Sequence, residues 1–197
     1  MASATLLTDP ETETASAAAV GLETARLRLR MFRREDLGAL SEITSDPVAM
    51  RYIGHGRTLS REETRLNLDS IIAAFRRRGF GRWALESKET GAVVGYCGLS
   101  LGDAEAGVEL AYLLARSEWG RGLASEAGRA CLRYAFETLR LDSVAGLTLH
   151  GNRRSRRVLE GLGMSYVGPA HFYGFDCVHY SIPRRDWRDD GSPYRVV

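Results

Sequence analysis

Two glycines one residue apart, in Ser117-Glu-Trp-Gly-Arg-Gly122, stand where a strand-like apolar run ends near Leu114 and a helical pattern opens at Leu123. Such a pair lets the backbone turn its N–H groups toward one point. The helix behind it adds its own unpaired N–H groups and the positive end of its dipole. The chemistry this suits is phosphate binding. Alone, Gly-x-Gly also suits a tight connection that holds no ligand. Two familiar phosphate loops do not match. There is no Gly-x-x-x-x-Gly-Lys-Ser/Thr run, and Ser125 stands where a dinucleotide fingerprint has its third glycine.

The flanking segments narrow the reading. Trp119 to Ala127 reads Trp-Gly-Arg-Gly-Leu-Ala-Ser-Glu-Ala. Leu22-Glu-Thr-Ala-Arg-Leu-Arg-Leu-Arg30, Thr90-Gly-Ala-Val-Val-Gly-Tyr-Cys-Gly-Leu99, and Asn152-Arg-Arg-Ser155 leading to Leu159-Glu-Gly-Leu-Gly-Met164 complete an ordered set over roughly residues 22 to 187. With these in view the chain resembles the GNAT acetyltransferases, and within them the RimJ/RimL-like branch that acetylates protein N-termini. Ser117 departs from the Gln or Arg of the family loop, which matters little where backbone N–H groups hold the phosphates.

The resemblance implies an acetyl-CoA-dependent N-acetyltransferase that transfers directly to a primary amine, with a protein N-terminal α-amine favoured. A small-molecule acceptor (aminoglycoside, polyamine or amino-acid analogue) and a non-catalytic acyl-CoA-binding module are the alternatives. Transfer to an amine needs a group that takes a proton from it and a donor for the departing thiolate. Glu109, on the strand before the loop, is the candidate base; a surface ion pair is its plain alternative. The resemblance makes Ser155 the candidate donor to the coenzyme sulfur; a first-turn serine bonded to its own backbone is its plain alternative, although Asn152 already provides the cap. Leu110 and Tyr112 are expected to bond the pantetheine arm through backbone. Trp119, Gly120, Arg121, Gly122, Leu123, Ala124, Asn152 and Ser155 complete the expected coenzyme contacts. Tyr173 is kept on the substrate side, and Phe32, Met50, Tyr52, Trp83, His171 and Phe172 are further candidates for the acceptor's walls. No metal is expected.

The elements that must position these residues follow from periodicity. Leu27, Leu29 and Met31 alternate with Arg28 and Arg30, as in a half-buried strand. A helix is expected over 35–44, ending before Asp46-Pro47. Ser60-Arg-Glu-Glu63 is a capping box opening a helix to about Arg78, with Leu66, Ile71, Ile72 and Phe75 as its apolar stripe. Strands follow over 82–86, 92–101 and 108–114. Leu123, Ala127, Ala130, Cys131, Tyr134 and Leu139 mark one buried helix face. A strand over 143–149, a helix from Asn152 to a stop at Gly163, and two closing strands complete the order. This is mixed α/β, a sheet flanked by helices. The resemblance makes it the GNAT fold: a mostly antiparallel twisted sheet of about seven strands with about four helices, splayed after the fourth strand. Residues 1–21 are expected as a flexible tail, 22–187 as the domain and 188–197 as a second tail.

Composition sets the outer bounds. A chain of 197 residues, 44% hydrophobic and 26% charged, suits one domain with a sizeable core. A net charge of +2 gives no field that argues for nucleic acid or a membrane surface. The run Arg153, Arg154, Arg156 and Arg157 points several ways on a helix and lacks interleaved aromatics. Cys97, Cys131 and Cys177 are scattered and form no metal or redox motif with the four histidines. No apolar run approaches a membrane span, and the first 22 residues lack the Lys or Arg of a targeting segment. A cytoplasmic protein is expected, with a homodimer left open.

Overall fold

The computed structural model describes residues 20–102 and 107–197. Among them the chain runs β1 (Leu22–Glu23), β2 (Leu27–Arg30), α1 (Leu37–Thr44), α2 (Pro47–Met50), α3 (Arg61–Arg78), β3 (Arg82–Ser87), β4 (Val93–Leu101), β5 (Val108–Leu114), α4 (Leu123–Arg133), β6 (Ser143–Leu149), α5 (Arg153–Gly161), β7 (Ser165–Phe172), β8 (Phe175–Pro183) and β9 (Arg195–Val196). The strands form one nine-stranded sheet in the order β7-β8-β6-β5-β4-β3-β2-β1-β9. Every pairing is antiparallel except β5 with β6.

Each face of the sheet buries its own apolar set. Helices α1 and α3 cover Ala84, Tyr96 and Leu113 with Leu40, Ile43, Leu68 and Ile71, joined by Phe32 from the segment after β2. On the other face, α4 and α5 cover Trp83, Leu85, Cys97, Leu99 and Leu110 with Leu123, Ala127, Cys131, Leu159 and Leu162. All three cysteines are buried and free.

The capping box is present: the Ser60 hydroxyl accepts from Glu63 N–H at 3.2 Å, and the Glu63 carboxylate accepts from Ser60 N–H at 2.8 Å. Gly79, at φ 73°, ends α3. The buried stripe of α3 is Thr64, Leu68, Ile71, Ile72 and Phe75. Leu66, expected on it, is 56% exposed. Two residues separate it from Leu68, which at 3.6 residues per turn puts it on the far side of the helix. The Asp46-Pro47 pair ends α1 as expected and also starts the short α2: Pro47 fits the first helical position, and Asp46 accepts from Val48 N–H at 2.8 Å.

The chain end expected as a tail lies on the domain instead. Arg129 pairs with Asp190 at 2.7 Å, Arg133 pairs with Asp189 at 3.1 Å and covers the Tyr194 ring, and β9 pairs with β1. Gly21 and Val197 exchange two backbone hydrogen bonds, at 2.8 and 2.9 Å, and the Val20 carbonyl accepts from Trp83 Nε1. Of the expected N-terminal tail, residues 1–19 lie outside the described residues.

Two irregularities shape the site. β5 and β6 match at a single pair, Glu109 with Ala145, and then part. This is the expected splay, since β5 is the fourth strand when the two-residue β1 is left out. On β4 the register with β3 shifts between Leu85 and Glu86. There Gly95, at φ 153°, lets β5 approach so closely that a Cβ would sit 2.1 Å from the Leu113 carbonyl oxygen.

Candidate active site

Alternation along β5 sorts its side chains. Leu110, Tyr112 and Leu114 belong to the α4 face; Ala111 and Leu113, with Glu109 by the same parity, belong to the α1/α3 face. Glu109 stands where the splay opens. Its Oε1 accepts from Ser100 Oγ, directly opposite on β4, and from Tyr173 Oη, each at 3.1 Å. Tyr173 and Gly174, at φ 55° and 77°, form the two-residue turn between β7 and β8. A left-handed tyrosine there carries strain of about 1–3 kcal/mol, and its hydroxyl is delivered to the carboxylate.

Ser155 lies in the first turn of α5. Its N–H donates to Asn152 Oδ1 at 3.2 Å, so Asn152 is the cap. Its hydroxyl lies 2.8 Å from Tyr112 Oη, which also reaches the Ser155 carbonyl at 3.1 Å. Burial pushes the Tyr112 phenol well above its ordinary range, although the Ser155 contact works against this. Tyr112 is therefore a neutral donor near pH 7. When it donates to Ser155 Oγ, the serine proton is free for a third group. The sequence offers Tyr112 as a backbone contact to the pantetheine arm; the fold adds this hydroxyl pair between residues 43 apart in the chain.

A cavity of about 280 Å³ joins these groups. Glu109, Leu110, Tyr112, Asn152 and Ser155 line it, with Leu147 to Leu149 of β6 and an aromatic rim of Tyr52, Phe172, Tyr173 and Phe175. The Leu110 side chain is in the core, which leaves its backbone for the cavity. Of the other acceptor-side candidates, Phe32 and Trp83 are fully buried core residues, and His171 pairs at the surface with Asp176 at 2.9 Å. Met50 lines a neighbouring chamber.

The expected phosphate residues gather at the start of α4. Gly120 and Gly122 have φ of 80° and 76°, a conformation glycine adopts at little cost. No side chain caps α4, so its first-turn N–H groups are open to an anion. Leu123 is buried beneath the turn and Ala124 packs on the core. Trp119 packs against both apolar clusters, donates Nε1 to the Leu114 carbonyl at 3.0 Å, and lies under the Arg154 guanidinium. The Arg121 side chain turns to Glu118 at 2.7 Å and Glu89 at 3.1 Å, which engages its charge at the surface.

Glu126, present in the motif but given no role, anchors this turn. It accepts from the Thr24 hydroxyl at 2.6 Å and from Arg26 N–H at 2.8 Å, and Arg26 in turn donates to the Arg121 carbonyl at 2.8 Å. Burial alone would raise the Glu126 carboxyl, but Thr24 and Arg26 hold it below the ordinary range.

The features fit a coenzyme A thioester: an uncapped helix start for its pyrophosphate, and a wedge where β5 leaves β6 for an extended amide arm. The chain matches the acetyltransferase (GNAT) domain family over residues 26–165, and it belongs to that family. It is an acyltransferase, and the family implies acetyl-CoA as the co-substrate. It is 34% identical to YkkB of Bacillus subtilis over 148 residues, 74% of this chain and 85% of that protein. It is 29% identical to the FsC-acetyl coenzyme A-N(2)-transacetylase of Aspergillus fumigatus, over 84% of this chain and 77% of that one. A GNAT-family acetyltransferase structure from Bacillus anthracis superposes with a TM-score of 0.73 at 25% identity, covering 84% of this chain and 99% of the other. No helix among the described residues is long and apolar enough to cross a membrane.

Gly122→Val is expected to weaken acetyl-CoA binding by about 10- to 100-fold, because a β-branched residue is strained at positive φ. Calorimetric titration checks it, and unchanged affinity would move the pyrophosphate away from this turn.

Proposed function

We propose that this enzyme moves an acetyl group directly from acetyl-CoA to a primary amine, with Glu109 as the base and Ser155, backed by Tyr112, as the donor to the leaving sulfur. The observation that carries the reading is the placement of a carboxylate and a hydroxyl pair on opposite faces of one strand, around one cavity at the splay. The thioester supplies an activated acyl carbon. Glu109 takes a proton from the amine, directly or through water, while Ser100 and Tyr173 hold its carboxylate in place. Ser155 donates toward the charge that develops on the sulfur, and Tyr112 donates to Ser155. The backbone of 110–112 and Asn152 position the arm, and Gly120 to Ala124 bind the phosphates.

We favour an α-amine as acceptor, as at a peptide N-terminus. Such a group titrates near 7.7–8.0 and is partly neutral at physiological pH, whereas a lysine-like amine near 10.4 is almost wholly protonated. The acetyltransferase family speaks against a non-catalytic module. A small-molecule α-amine stays as the second reading, supported by the N(2)-transacetylase relative. We place the protein in the cytoplasm, with acetyl-CoA.

Ser155→Ala and Tyr112→Phe should each lower kcat by about 100-fold. The double variant should be little worse than either, because the two hydroxyls act as one unit. Thiol release with a panel of peptides and small amines measures this. Full activity in Ser155→Ala would reduce the pair to an anchor between α5 and β5.

A further inference from the structure

Beside this cavity lies a second chamber, also of about 280 Å³; the two share Ile53, Gly54 and Tyr96 as lining residues. Met50, Leu59 and Leu113 make its apolar wall, and Asn67, Arg57 and Arg82 its polar one. No carboxylate is among its lining residues. Arg57 is already paired, to Glu63 at 2.7 Å. Arg82 is not. Its guanidinium lies over the Tyr96 ring, 5.5 Å from the centroid, and it has no ion pair or hydrogen bond among the described residues.

That state sets Arg82 apart. The other half-buried arginines each hold an oxygen: Arg30 on Asp36, Arg129 on Asp190, Arg133 on Glu137 and Arg156 on Tyr180 Oη. A half-buried guanidinium with five donors and only a ring face for company is under-compensated, and an anion would complete it. Strand register aims it at the reaction. Arg82, Gly98 and Ala111 form one cross-strand row on the face that carries Glu109. Strand spacing places the Cα atoms of Arg82 and Glu109 about 12 Å apart. Once both side chains reach inward, one or two residues' length of acceptor spans the rest.

We propose that the acceptor is an amine that also bears a carboxylate, and that Arg82 binds that carboxylate while Glu109 takes the amine's proton. This rests on the reading of Glu109 as the base. It disfavours polyamines and aminoglycosides, which would bring positive charge to a chamber lined by two arginines. The carboxylate has two sources, a free acidic amino acid or the first residues of an acidic peptide.

The test compares matched acids and amides as acceptors: Asp-Ala-Ala-amide against Asn-Ala-Ala-amide, and glutamate against its uncharged diamide. The wild type should prefer the acid of at least one pair by about 10- to 100-fold in kcat/KM, mainly through KM. The pair with the larger preference identifies the source. Arg82→Gln should erase the preference and leave the amide rate and acetyl-CoA binding unchanged, and Arg82→Lys should restore part of it. Equal use of acid and amide by the wild type, or a preference that survives Arg82→Gln, overturns the proposal. A second readout is independent of transfer: calorimetric titration of glutarate, which has no amine, into the protein–CoA complex. Binding that Arg82→Gln abolishes, in a protein whose transfer rate Glu109→Gln does not lower, supports the carboxylate site and refutes the base. Transfer that Glu109→Gln cripples, without glutarate binding, does the reverse.

Discussion

Glu109→Gln is expected to lower kcat by about 100- to 10,000-fold while acetyl-CoA binding is retained. The amide keeps the volume of the carboxylate and an oxygen that can accept from Ser100 and Tyr173, so the local packing should survive. What it loses is the capacity to take a proton. The residual rate should then rise with pH, as solvent supplies more of the neutral amine. Steady-state kinetics from pH 6 to 9, beside calorimetry with acetyl-CoA, read both effects. A kcat within a few-fold of wild type would remove Glu109 from the mechanism.

Gly95→Ala should cost about 3 kcal/mol or more in stability. The added methyl would meet the Leu113 carbonyl oxygen at 2.1 Å and Leu114 Cα at 2.8 Å. Both are backbone atoms, so no side-chain rotation relieves the clash, and β5 itself must shift. For a chain of this size the loss amounts to a fall of about 6–12 °C in Tm. The damage should also reach the coenzyme, because Ala115 N–H bonds the Val94 carbonyl at 2.8 Å where the chain leaves β5 for the glycine turn. Thermal melts with and without acetyl-CoA would show a lower Tm and a smaller ligand-induced rise. A normal melt would mean that β4 and β5 can separate without loss.

What could be read in advance depended on whether the signal was local. The glycine turn, the Asn152 cap and the Ser60 capping box are each set by a few adjacent residues, and each forms as expected. Ser155 sits inside one such motif, three residues after the Asn152 cap, whereas Glu109 lies on a strand outside all three and is legible through the family resemblance. Tyr112 was in view, but its partner lies on α5, and only the crossing of α5 over β5 joins them. Glu126 was likewise visible, yet Thr24 and Arg26, the groups that give it a task, are about a hundred residues away. Aromatic identity misled in two cases. Phe32 and Trp83 suit a core as well as a substrate wall, and the core claimed both. The pairing of β9 with β1 spans two residues, too few for any alternation to register.

The odd spacing of Glu109 and Tyr112 carries an evolutionary constraint. Because side chains alternate along β5, inserting or deleting one residue between them would bring both groups onto the same face. The acid and base halves of the reaction would then compete for one side of the sheet, and the other would have neither. Changes of two residues preserve the parity, though they move the site along the strand. Drift in this stretch should therefore proceed by substitution, with single-residue length changes confined to the turns at either end.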